Sequence, residues 1–331
     1  MATLGALAQN LLRSESVASS RIESIHLSHR RLARAAYQAE TGQRDQRAVE
    51  VLGNVEAMKR AIELGATDDP FTLADLQDIH RNLLRFTAGP EIAGMPGRAR
   101  TGLAAMTTTR WGRATPLPHR SSCSRCWRTS ARSSTATMSP RSHWPLSSTL
   151  SLRPSIPSPT ATGRAGRALI YAVLRRRGET TNYLPPISLI LAAEPGGYID
   201  GLTAYRQGAL SGWVENFALA TARACFAAEQ LADAIAQRQA EWLDALGQPR
   251  RDAAVRQLVS SLPEQPVIDV AVAQRLTRES HVAVGRALRQ LEDAGIVNRL
   301  NERKWGRAWE CDTLLSLVDS FEKDVQIIAS V

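Results

Sequence analysis

Apolar residues recur at helical spacing through most of this chain, and the pattern predicts a mostly α-helical protein. Residues 1–60 read as helical. An amphipathic helix follows over 71–80, with Thr72 as its N-cap and Asp75 three residues on. Leu169, Ile170, Val173 and Leu174 form the apolar stripe of a helix that stops at Gly178. Pro185 and Pro186 precede an apolar run over 187–193, and Gly196 with Gly197 breaks it. A long helix then covers 213–246, with Val214, Phe217, Ala224, Ala228, Leu231 and Ile235 on one face and Thr221 as the polar member of that stripe. Gly247-Gln248-Pro249 ends it and marks a linker.

The rhythm changes in the last 80 or so residues. A short extended run over 267–270 leads into a helix over 271–276, a turn over 277–280 and a second helix over 281–294 stopped by Gly295. Two strand-like runs, 296–300 and 305–310, suit a wing. This order resembles a winged helix-turn-helix, which implies that Arg278, His281, Arg286 and Arg289 could contact a duplex from the second helix. Residues 250–310 hold 11 basic and 8 acidic side chains, a weak footprint beside what phosphate neutralisation normally supplies, so DNA binding and protein docking both stay open.

Composition changes the picture in one place. The chain has 331 residues, 44 % hydrophobic and 5 % aromatic, long enough for two domains. No run approaches the roughly 20 apolar residues of a membrane span, and the first residues lack the charge and apolar core of a signal peptide. The expected location is cytoplasmic, with no membrane partner. The four cysteines are too scattered for a disulfide framework. The net charge of +9 is local: residues 101–162 carry eight Arg and no Lys, Asp or Glu, leaving 33 basic and 32 acidic residues for the rest. That segment also holds 13 Ser, 11 Thr and 7 Pro and shows no periodicity.

Two explanations fit such a segment: a disordered linker, or translation in the wrong reading frame. The codon level offers a check between them. The run 153–163, RPSIPSPTATG, can be encoded so that one base back it reads ETIHPFPDGN, and the present frame continues with Gly163-Arg164-Ala165-Gly166-Arg167. The joined string HPFPDGNGRAGR resembles the Fic domain signature, H-x-F-x-[DE]-G-N-G-R-x-x-R. Residues 101–112, shifted likewise, read NWLGGNDYNPLG, similar to the target-docking flap of Fic proteins. A base lost near 98–100 and one gained near Gly163 accounts for both ends.

The resemblance implies a Fic-type helical bundle with a small C-terminal winged helix-turn-helix. Its parts would be an N-terminal helical region at 1–60, a Fic core at 61–246 whose residues from about 100 to 162 are out of frame and disordered, and the winged unit at 253–331. Ser19 and Glu23, four apart and so on one helix face, are similar to the family's inhibitory helix S-x-x-x-E-[GN], with Ser24 where Gly or Asn is preferred. The family implies that Glu23 pairs with Arg167 and keeps the ATP γ-phosphate out of a productive pose. It further implies AMP transfer from ATP to a protein Ser, Thr or Tyr hydroxyl, with Mg²⁺, the motif His as base and the acidic residue as metal ligand. Gly163, Arg164, Gly166 and Arg167 are the ATP phosphate-binding residues that survive, at a glycine turn and helix N-terminus suited to anions. Tyr198, in a stretch similar to the family's Y-x-x-x-L element, is expected either beside adenine or in the core.

No catalytic base and no metal ligand is retained, since residues 156–162 supply neither, so this polypeptide is expected to be inactive. The alternative is a winged-helix DNA-binding regulator with a non-catalytic Fic body. ATP, a protein substrate, duplex DNA and a second copy of the chain are the partners these readings admit. Other signals carry less. Cys123-x-x-Cys126 lacks a second pair, His119 and His143 lie in the displaced tract, His26 and His29 read as solvated, His80 as a packing residue, and Arg175 to Arg177 as cations at a helix end.

Overall fold

The computed structural model describes residues 4–38, 45–67, 69, 71–87, 159–180, 183–300 and 307–329. The chain is mostly helical, in the order α1 (Leu4–Ile22), α2 (His29–Gln38), α3 (Gln46–Gly65), α4 (Leu73–Leu83), α5 (Pro159–Arg176), α6 (Ile187–Leu191), α7 (Pro195–Arg206), α8 (Leu210–Ala245) and α9 (Ala254–Ser261). Then come β1 (Val267–Asp269), α10 (Val270–Thr277), α11 (His281–Asp293), β2 (Asn298–Arg299), β3 (Ala308–Glu310) and α12 (Asp312–Ala329). Residues 101–112, which carry the flap resemblance, and the rest of the segment up to 158 lie outside the described residues. No helix among the described residues is long and apolar enough to cross a membrane.

Two compact units divide the chain. The first gathers residues 1–52, 182–195 and 223–331. Its main core joins Leu231, Ile235 and Trp242 of α8 to Val255 and Leu258 of α9, Leu288 and Leu291 of α11, and Leu11 of α1. The three strands are antiparallel in the order β1-β3-β2, with Ile268 opposite Trp309 and Arg299 opposite Trp309 on the other side. Caps fix the helices between them. Asp269 accepts from the Val272 N–H at 2.7 Å to start α10, Arg278 ends it at φ 57°, and Ser280 accepts from the Ala283 N–H to start α11. The strands are shorter than the apolar runs that predict them, because pairing with β3 reaches only two residues of 296–300.

α1 is buried on more than one side despite its serines. Ser14, Glu15, Ser16, Ser19 and Ser20 are all buried, and small hydroxyls allow this when they bond back to the helix, as Ser20 Oγ does to the Ser16 carbonyl at 2.8 Å. The Glu15 carboxylate accepts from the Ser188 N–H at 2.7 Å and its hydroxyl at 2.5 Å, satisfying the first turn of α6. α2 lies against β1 and α12. There Arg34 makes a two-pronged pair with the buried Glu310 (2.5 and 3.1 Å), and Tyr37 donates to Asp269 at 3.1 Å.

The second unit gathers residues 53–181 and 196–222. Thr72 and Asp75 cap α4 reciprocally, the Thr72 N–H donating to Asp75 at 2.7 Å, as the spacing predicts. α4 packs against α5, and α3 comes so close to α5 that a Cβ on Gly65 would stand 2.5 Å from the Ala172 carbonyl oxygen. α5 ends with Gly178 at φ 73°, the left-handed stop its sequence position implies. Gly196 and Gly197 do not break the chain. They lie in the first turn of α7 behind Pro195, where proline's fixed φ starts a helix and first-turn glycines cost least.

Candidate functional site

Gly163, Arg164, Gly166 and Arg167, the residues expected to bind phosphate, lie on α5 but not at its N-terminus. The helix starts at Pro159, four residues before Gly163. The free N–H groups therefore belong to residues 159–162, and the expected glycine turn with an open anion cradle at Gly163 is not formed. The cause is local: proline is well suited to the first helical position, and Thr160-Ala161-Thr162 extends the helix from it.

Downstream, the helix is buried almost all round, with Ala165, Ala168, Leu169, Ile170, Tyr171 and Ala172 each under 6 % exposed. Arg164 and Arg167 are carried inside with them, at 4 % and 2 %. Arg167 lays its guanidinium 5.9 Å from the Tyr198 ring centroid. Tyr198, buried on α7, is itself held by Trp213 (5.5 Å between centroids), which meets Phe217 in turn at 6.1 Å. Arg164 faces His80 of α4. Burial first, and the Arg164 charge second, push the His80 imidazole below its ordinary value, so it is neutral at pH 7. The spacing thus brings Arg164, Arg167 and Tyr198 into one unit, in its interior. An open cleft of about 240 Å³ near Arg60 and Arg176 is a poorer candidate, since Arg60 already pairs with Asp78 and Glu63 and Asp75 caps α4.

Ser19 and Glu23 belong to the first unit and differ in burial. α1 ends at Ile22, so Ser19 is fully buried while Glu23 is the half-buried residue beyond the last turn. Ser24 ends the helix at φ 63°, its N–H bonding to the Arg21 carbonyl (2.8 Å) and the Ile25 N–H to the Ser20 carbonyl (3.0 Å). This is a Schellman stop, whose left-handed residue favours Gly or Asn.

With the geometry in place, comparison with known proteins adds a similarity at the N-terminus. Residues 2–63 match the model described as Fic/DOC family N-terminal, which takes in α1, α2 and nearly all of α3. The N-terminal region of this chain is thus similar to that of Fic/DOC family proteins. The chain is also similar to a crystal structure of a Fic family protein from Desulfovibrio desulfuricans G20, at 15 % identity and a TM-score of 0.45, covering 92 % of this chain and 87 % of that one. No curated protein matches. Ser19 and Glu23 fall within the N-terminal match, and the arginines of α5 lie beyond it.

One buried polar cluster of the first unit escapes sequence reasoning. His26 is exposed, but His29 is buried, contrary to the solvated reading, with Nε2 2.6 Å from the Glu322 carboxylate. Arg21 adds a 3.4 Å contact to the same carboxylate, and Asp319 accepts from the His29 N–H. The signal was local: His29, Leu32 and Ala33 stand at i, i+3 and i+4 on the buried face of α2. At the other end, Arg278, His281, Arg286 and Arg289 are all exposed, on the turn before α11 and on α11 itself. Arg299 is tied to Glu292 at 2.6 Å.

Proposed function

We propose that the frame-restored form of this chain is a cytoplasmic Fic-type protein adenylyltransferase, self-inhibited through Glu23, and that the polypeptide with the present sequence transfers no AMP. The observation that carries the reading is the retained pair Arg164 and Arg167 beside a stretch, 156–162, that offers neither base nor carboxylate. Two guanidiniums three residues apart suit a polyphosphate and would offset charge on it. A hydroxyl nucleophile, however, attacks only when a base takes its proton. The motif segment has no histidine for that step. Mg²⁺ does not fit the residues present either: a hard cation needs carboxylate oxygens, and two arginines with a neutral His80 repel or ignore it. ATP-dependent labelling of target protein by the frame-restored chain, enhanced by Glu23→Gly and absent with the present chain, is the expected result. AMP transfer by the present chain that Arg164→Ala abolishes would overturn the proposal.

A second reading, that the C-terminal unit is a winged helix-turn-helix binding duplex DNA, is favoured by the exposure of Arg278, His281, Arg286 and Arg289 on α11 and the turn before it. A salt-sensitive shift of a palindromic duplex without any AMP labelling supports a regulator; labelling without a shift supports the enzyme alone.

A further inference from the structure

α11 carries a glycine that the protein's own packing does not require. Gly285 lies inside the helix, where glycine is among the least favourable residues, and a Cβ added there would meet nothing within 4 Å. Val284, Ala287, Leu288 and Leu291 take the buried side. At about 100° per residue, Val282, Gly285 and Arg289 cluster on the opposite side, flanked by His281 and Arg286. Val282 is 68 % exposed, a large apolar side chain facing outward one turn from that open glycine. Around them Arg275, Arg278, Arg286 and Arg289 are exposed against Glu279 and Asp293, so the face offers more positive charge than negative. Arg289 donates through Nε to the Gly285 carbonyl at 3.2 Å, which lays its guanidinium along the same turn. A missing side chain at the centre of a cationic face fits a surface that must come close to the helix backbone.

We infer that this face of α11 seats in the major groove of duplex DNA, with Gly285 admitting the groove edge, Val282 against a thymine methyl, and Arg286 and Arg289 donating to the base edges and phosphates beside it. The inference rests on the winged-helix reading above and goes beyond it by naming a base and the residue that reads it. The groove is wide enough for a helix, the thymine C5-methyl is its apolar feature, and residues in the first turns of such a helix are those that reach base edges.

The full chain selects duplexes from a randomised pool, and the enriched duplex is titrated beside a copy with deoxyuridine for thymine. The wild-type chain binds the uracil copy about fourfold more weakly, the worth of one methyl. Val282→Ala weakens binding to the thymine duplex and makes the exchange immaterial. Gly285→Ala raises the unfolding temperature yet weakens binding about tenfold, an opposition that a purely structural role does not produce. Enrichment without a uracil effect, or Gly285→Ala binding like wild type, overturns this inference and leaves DNA binding standing. A pool that never enriches, with no duplex shifted, overturns the winged-helix reading itself and leaves the face to a protein partner.

Discussion

Arg164 and Arg167 stand three apart on α5, and Arg286 and Arg289 stand three apart on α11, yet the first pair is buried and the second exposed. The spacing puts each pair near one face of its helix but does not say which face meets solvent. The neighbours decide that. α5 surrounds its arginines with alanine, leucine, isoleucine and tyrosine on every side, whereas α11 keeps its apolar residues to one stripe opposite the cations. A buried guanidinium needs partners that hold it, here the Tyr198 ring; an exposed one keeps its water and is free to exchange it for a phosphate.

The largest test of that contrast is truncation at matched positions. Arg167→Ala removes a long buried stem and its ring contact, and unfolding by urea is expected to show a loss of about 3 kcal/mol. Arg286→Ala should cost under about 0.5 kcal/mol, as at an ordinary surface site. Equal losses for the two variants would break the comparison.

The same contrast extends to charge and pH at His29. Burial, the largest influence, pulls its imidazole down, but the Glu322 carboxylate and Asp319 outweigh burial and the Arg13 charge, so the imidazole is held above its ordinary 6.5. Burial pushes the Glu322 carboxyl up, but His29 and Arg21 outweigh it and hold it below its ordinary 4.5. A raised histidine stabilises fully below 6.5 and loses that contribution as pH climbs through its folded value; a lowered carboxyl stabilises above 4.5 and loses it as pH falls through its own. The pair therefore contributes most between those limits and fades on the alkaline side. Glu322→Ala should cost about 3 kcal/mol near pH 6, because His29 and Arg21 lose their partner, and should flatten the alkaline decline in urea midpoint. A decline unchanged in the variant would assign it to other groups.

How much of this was legible depends on how far apart the cooperating residues lie. The C-terminal elements could be read because each stop and start is local: Asp269, Ser280 and Gly295 act within a few residues of themselves. The helix around Thr72 and Asp75 was legible for the same reason. The pairing of His29 with Glu322 was not, since the two lie 293 positions apart, although the burial of His29 is marked locally by Leu32 and Ala33. The candidate site was half legible. The arginines are found by their motif resemblance, but where α5 begins depends on Pro159 and the residues just after it, which that resemblance does not cover. Glu23 is the last residue before the left-handed stop at Ser24, so helical spacing reaches it only at the C-cap.

A smaller effect probes why α5 buries its arginines. Close approach to α3 leaves no room at Gly65, where a Cβ would meet the Ala172 oxygen at 2.5 Å and its Cα at 2.9 Å, backbone atoms that cannot swing aside. Gly65→Ala should cost about 1–3 kcal/mol. Gly196→Ala, with nothing within 4 Å, should instead gain up to about 1 kcal/mol from helix propensity. Changes of the same sign at both glycines would mean that contact with Ala172 does not govern the packing of α5.

The smallest expected effect comes from an exposed residue whose side chain packs little. Ser24 stands at φ 63°, where a Cβ crowds the following carbonyl at a cost of about 1–2 kcal/mol per residue. Ser24→Gly removes that crowding but gives back part of it through the freer unfolded chain, so a net gain of about 0.5–1 kcal/mol is expected. Ser24→Asn should gain less, and Ser24→Val, branched at Cβ, should lose stability. Side-chain contact alone predicts no such order, because the residue is exposed; the order follows only if the backbone is left-handed there. Urea midpoints in the sequence Gly above Asn above Ser above Val support that geometry, and indistinguishable midpoints would place the end of α1, and with it Glu23, elsewhere.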